Sequence, residues 1–331
     1  MLRGQFIFIY IFLFIIGCRS NAPEEEEASA GFHLTFHRFD SDLTVHGKDI
    51  GFLKQKYGNF FYRYCNNLIP RMRYDSSPAE DALSRFIADK DFLEVNGVVH
   101  SVFKDISETE KLIQEAFHKY SFHFIGKKIP EVITFNSLFN YAVISTDTVL
   151  GIGLDMYLGS DCRFYPSLGF PEYKMIHMRK EYIPADAMRG WLESEFPVSE
   201  DKHDFLSHMI YKGKILYALD ALMPDMDDTL KTGYSKSQLY WCYENEKKIW
   251  AFFVDQKLLF SNSVEQYSKY ISEGPTTNGF PKESSGNIAA FIGWQIVKSY
   301  MNERPGITLE KLMNENDAAF ILKESKYKPK K

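Results

Sequence analysis

Apolar residues recur on almost every turn of residues 203–224, HDFLSHMIYKGKILYALDALMP. At helical spacing Leu206, Met209, Ile210, Gly213, Leu216 and Tyr217 fall on one side, while Tyr211, Ile215, Ala218, Leu219 and Leu222 cover the other. A helix apolar nearly all round is a buried helix, so this one is expected at the centre of the fold. Asp220 shares the side of Gly213, whereas His208 and Lys212 share a different side one turn apart. Burial of a lone charge costs several kcal/mol or shifts its pKa until it is neutral. Lys212, Lys214 and Asp220 are therefore expected to be paired, hydrogen-bonded or at a cavity wall. The plain reading is a structural network that holds the helix; a functional site is the alternative.

Elsewhere the period of the pattern changes along the chain. Residues 32–43, FHLTFHRFDSDL, alternate apolar and polar, as an opening strand or extended arm would. Residues 50–69 carry Phe52, Leu53, Tyr57, Phe60, Phe61 and Tyr64 at helical spacing, with Pro70 as the stop. Ser77-Pro78-Ala79-Glu80 predicts a capped helix to about Leu93, and Ser107-Glu108-Thr109-Glu110 repeats the capping box ahead of Leu112, Ile113, Ala116, Phe117 and Tyr120. Between residues 130 and 159 the period becomes two, in EVITFNS, YAVIST and VLGIGLDMYLG, which predicts a small antiparallel meander. Its last strand ends in Leu154-Asp155-Met156-Tyr157-Leu158-Gly159, where Asp155 and Tyr157 either line a cleft or, for the acid, serve the local backbone. Helices are then expected over 173–180, 184–196, the central segment, and a segment opened by the capping box Ser235-Lys236-Ser237-Gln238. That segment carries Glu244, Asn245 and Glu246 among large aromatics, and pairing with Lys212 and Lys214 would satisfy both sets of charges. A helix after Ser285 stops at Pro305-Gly306, residues 309–322 supply another, and the closing SKYKPKK is expected to fray. The fold class that follows is α+β, mostly α: one helix-rich domain, residues 32–331, around a small antiparallel sheet.

The N-terminus changes the picture. Residues 1–17, MLRGQFIFIYIFLFIIG, place Arg3 before an apolar run too short for a membrane span of about 20 residues and read as a secretion signal. An uncleaved signal anchor is the alternative. Residues 18–31 are then an acidic tether, since Pro and four consecutive Glu cannot bury apolar area. The net charge of −5 is mild and the basic residues are scattered, which argues against nucleic acid. The 28 Phe and 20 Tyr point to an aromatic core. Beyond Cys18 only Cys65, Cys162 and Cys242 remain, so at most one disulfide can form.

Familiar catalytic patterns are missing. There is no HExxH, and His177 with Glu181 one turn on has no second histidine after it. His203 and His208, five apart, point to different sides. GxSxG, P-loop, GxGxxG and CxxC patterns do not occur. The expectation is a non-enzyme with no metal and no cofactor.

Two resemblances carry further. Ile15-Ile16-Gly17-Cys18 resembles the lipobox of bacterial lipoproteins, which implies lipid attachment at Cys18. YGNFFYRYCNNLIP, LGIGLDMYLGSD, MIYKGKILYALDALMPD, GYSKSQLYWCYENEKKIWAFF, FIGWQIVKSYM and SKYKPKK together resemble the GldB family of gliding motility lipoproteins over nearly the whole chain. The resemblance implies a lipid-anchored, periplasm-facing cell-envelope protein whose partners are other gliding or type IX secretion machinery proteins. It does not imply a reaction. The family pattern often has glutamate at Lys212 in MIYxGK, whereas Gly213 and Lys214 match. The order of meander, helix and Gly-Lys helix also resembles zincin-like metallopeptidases without the metal ligands. That likeness implies a cleft suited to an extended peptide.

Overall fold

The computed structural model describes residues 32–69, 79–199 and 203–330. The expected signal, Cys18, the tether, the Pro70 stop and the Ser77-Pro78 cap lie outside the described residues. From Leu34 onward the chain is one unit. Four strands, β1 (Phe36–Arg38), β2 (Glu131–Phe135), β3 (Val143–Ser145) and β4 (Val149–Gly153), form a sheet in the order β1-β2-β4-β3. The longer helices are α1 (Phe39–His46), α2 (Ile50–Arg63), α3 (Ala79–Ala88), α4 (Lys90–Val102), α5 (Ser107–His123), α6 (Ile183–Glu195) and α7 (Phe205–Leu222). They continue as α8 (Lys236–Glu244), α9 (Glu246–Asp255), α10 (Val264–Ile271), α11 (Ile288–Glu303), α12 (Leu309–Asn314) and α13 (Ala318–Ser325). The class is α+β and mostly α, as expected.

The sheet is mixed, not an antiparallel meander. Only β3 and β4 pair antiparallel; β2 runs parallel to β4, with Ile133 opposite Gly151, and β1 runs parallel to β2. The chain leaving β2 therefore crosses the end of β4 before it reaches β3. Gly153 permits that crossing, because a Cβ there would lie 1.9 Å from Tyr141 O. The opening arm is shorter than its alternation suggests: after Arg38 it becomes α1, because Phe39 and Leu43, four apart, both find the core. Asp89 interrupts the helix predicted to Leu93 by accepting the N–H groups of Asp91 (2.8 Å) and Phe92 (3.3 Å) and capping α4. Asp105, not Ser107, serves the start of α5, accepting the Ser107 N–H at 2.9 Å. The helix expected over 173–180 is a single turn, Glu172–Met175.

Aromatic packing supplies the core on the N-terminal side. Phe39 meets Tyr57, Phe60 and Tyr64 at centroid distances of 4.7, 5.3 and 4.6 Å, and Ile133 and Phe135 of β2 join this cluster. Edge-on aromatic contacts of this kind add to area burial. The central helix α7 is buried on most of its circumference and packs on α5, α6 and α11. Its closest approach is to α11, where Gly213 faces Gly293. Cys162 and Cys242 are free thiols, and Cys65 is buried in the aromatic cluster.

Candidate functional site

A cleft of about 1200 Å³ opens over one side of α7. Lys212 and Leu216 form its floor, and Tyr182, just before α6, with Asp186 and Arg189 on that helix form one wall. Tyr157, at the short 3-10 turn that ends β4, and His177 complete that side. The facing wall comes from α8, with Gln238, Trp241 and Glu244, and from the segment around Glu273 and Lys282. Asp186, Arg189 and Glu193 stand at i, i+3 and i+7 on α6, so one polar stripe of that helix looks toward the floor.

The polar groups of the floor engage one another. Tyr157 donates its O–H to Asp186 Oδ2 at 3.0 Å, and Lys212 Nζ donates to Glu193 Oε1 at 2.9 Å. Burial pushes the Asp186 carboxyl up to about 6, against the opposing pull of the Arg189 charge and the tyrosine hydrogen bond. Burial also lifts the Tyr157 phenol far above its ordinary range and lowers His177. Arg189 donates to the Lys231 carbonyl, which holds its guanidinium at the wall. Asp186 and Arg189 of the wall and Lys212 of the floor are thus set among Tyr182, Tyr234 and Trp241. Such a surface can hydrogen-bond a polar chain and pack its side chains. Among the described residues no group of three or more His, Cys, Asp or Glu is placed to hold a metal ion.

Of the residues singled out in the sequence, Tyr157, Lys212 and Glu244 line the cleft. Asp155 is fully buried beneath the β2–β3 crossing, where its Oδ2 accepts the N–H groups of Ser137 (3.2 Å) and Phe139. It holds a loop in which Leu138 and Phe139 both take positive φ, 54° and 68°, a strained pair for non-glycine residues. Burial pushes its carboxyl up to about 7. Lys214, two residues beyond Lys212 and about 200° round the helix, points the other way. Its Nζ donates to Met313 O (2.9 Å) and Glu315 O (2.8 Å). Asp220 accepts from Lys231 (2.6 Å) and from Trp294 Nε1 (2.8 Å), with Lys298 at 3.2 Å. Glu246 accepts from Tyr327 O–H at 2.7 Å. The expected pairing of Lys212 and Lys214 with Glu246 is therefore wrong: each finds a nearer partner on a different element. Tyr327 also packs edge-on against Trp250 at 5.4 Å, so the closing segment is docked through that residue where fraying was expected.

A family model described as Gliding motility protein GldB matches residues 20–329. The chain belongs to the GldB family. No curated protein and no solved structure matches it. GldB membership makes it a gliding-motility lipoprotein of the cell envelope, and no helix among the described residues is long and apolar enough to cross a membrane. For this GldB chain the residues that sequence reasoning missed are Asp186, Arg189 and Glu193. Their three-four spacing on a helix with buried Ala185, Met188, Trp191 and Leu192 was the available signal, but a polar stripe more often faces solvent than a cleft.

Proposed function

We propose that this GldB chain is a non-catalytic component of the gliding machinery and its associated type IX secretion. It is held in the envelope by lipid on Cys18, with the folded unit facing the periplasm, and it works through protein contacts, the cleft receiving an extended segment of a partner. The observation that carries this reading is the closed pairing of the cleft floor. Lys212 is matched by Glu193 and Asp186 by Tyr157, an arrangement that gives the cleft shape and hydrogen-bonding edges. Tethering by lipid raises the effective concentration beside membrane partners, so weak surface contacts suffice.

One observation favours a second reading, an envelope hydrolase of zincin-like fold. Asp186 faces the cleft with its carboxyl at about 6, within the range a general acid or base uses. The two readings part on Asp186→Asn and Lys212→Ala expressed in gliding cells, together with a photocrosslinking residue at Tyr240 on the cleft rim. The contact reading expects at least partial gliding from both variants and crosslinks from position 240 to other envelope proteins. A folded Asp186→Asn protein that loses all motility, with a matching loss of hydrolysis in vitro, would falsify it.

A further inference from the structure

Helix α5 ends in a turn that turns its apolar side chains outward. Phe122 is 50% exposed and Ile125 82%, while Phe124 between them is fully buried and caps the helix by donating its N–H to Tyr120 O at 2.9 Å. Seating Phe124 in the core against Tyr120 and Phe196 leaves its two apolar neighbours in water. Gly126, at φ +82°, then reverses the chain. An isolated exposed apolar residue needs no explanation, but two at one tip are set among Lys119, Lys127 and Lys128. Lys127 pairs with Glu195 at 3.1 Å, whereas Lys119 and Lys128 make no ion pair among the described residues. The acid that follows, Glu131, lies 3.7 Å from His37 Nε2.

The topology places this tip. Because β1 and β2 are parallel, Val132 donates its N–H to Thr35 O at 2.9 Å, so the chain enters the sheet at the same end as the turn. Seven residues separate Ile125 from Val132, a reach of about 24 Å at most. The chain that arrives at Leu34 comes from Cys18, sixteen residues earlier, a reach of about 55 Å at most. A bilayer that holds the lipid is therefore within range of the end of the molecule that carries the turn.

We propose that the turn at Phe122–Ile125 is a second membrane contact. It seats its two apolar side chains at the acyl boundary and Lys119 and Lys128 among anionic headgroups of the bilayer that holds the lipid. The inference rests on lipoprotein membership and is independent of what the cleft binds. Two attachments fix an orientation that a single lipid anchor leaves open, which would set the direction in which the cleft faces.

The test uses the full lipidated protein, in a Cys162→Ser background, reconstituted into vesicles of phosphatidylethanolamine and phosphatidylglycerol. An environment-sensitive fluorophore is attached at Ile125→Cys or, for comparison, at Tyr240→Cys on the cleft rim. Expected are a blue shift and quenching by lipid-borne quenchers at position 125 but not at 240. Replacing Lys119 or Lys128 by Gln should lower the inserted fraction about fivefold each. Water-like emission at 125, or equal signals at 125 and 240, would overturn the proposal. So would a shift at 125 that persists in lipid-free protein, since a second copy of the chain would then be the occupant.

Discussion

The crossing of α7 and α11 allows a quantitative prediction. A Cβ built on Gly213 would lie 2.2 Å from Gly293 C, 2.3 Å from Gly293 O and 2.7 Å from Trp294 N. All three are backbone atoms, so no side-chain rotation relieves the clash, and Gly213→Ala must part the two helices by roughly 1 Å to reach ordinary contact. A gap of that size forfeits a quarter to a half of each atom–atom attraction along the seam. Overpacking of this kind costs about 1–3 kcal/mol, occasionally more, and backbone against backbone belongs at the upper end. Replacing a helical glycine returns about 1 kcal/mol of propensity. The expected net loss is roughly 2 kcal/mol, read as a fall in the urea midpoint of about 1 M. Gly97 in α4 supplies the control, since a Cβ there meets nothing within 4 Å, and Gly97→Ala should be neutral or stabilising. The Gly213→Ala, Gly293→Ala double variant should lose less than the sum of the singles, because both open one seam. A Gly213→Ala protein as stable as Gly97→Ala, or strict additivity in the double variant, would refute the reasoning.

Four further outcomes are expected. Burial lowers the Lys214 ammonium from 10.5 to about 8, so the unfolded chain binds more protons across that window and this residue's contribution to stability rises with pH through it. Urea midpoints of Lys214→Met should lack that rise; parallel profiles would contradict it. Asp155 has the opposite sign: its carboxyl is raised from 3.8 to about 7, so its contribution is full at acid pH and is lost as pH rises toward 7, a slope that Asp155→Asn should remove. Tyr327→Phe takes the donor from the buried Glu246 carboxylate and should cost about 1–3 kcal/mol in thermal or urea unfolding; no change would mean that solvent replaces the phenol. Elemental analysis of the purified protein should give no stoichiometric zinc, and a bound zinc whose removal stops peptide cleavage would favour the hydrolase reading instead.

Local sequence determined the parts whose physics is local. The apolar circumference of residues 205–222 marks a buried helix without reference to any partner, and the Ser235 capping box forms as read, with Ser235 and Gln238 each serving the other's backbone. Sheet topology was different: a period of two marks extended stretches between residues 131 and 153 but says nothing of which edges meet. The crossing from β2 over the end of β4 to β3 is supported by Gly153 and Asp155. The candidate site was partly legible. Tyr157 and Lys212 stood out as polar groups in apolar surroundings, but Lys214, equally conspicuous, points away from the cleft because two residues of helix turn a side chain to the opposite face. Which carboxylate meets which lysine was likewise undetermined by the chain order. Pairing depends on distances between elements, and those were set by the aromatic packing and by the approach of Gly213 to Gly293, which only the tertiary structure decided.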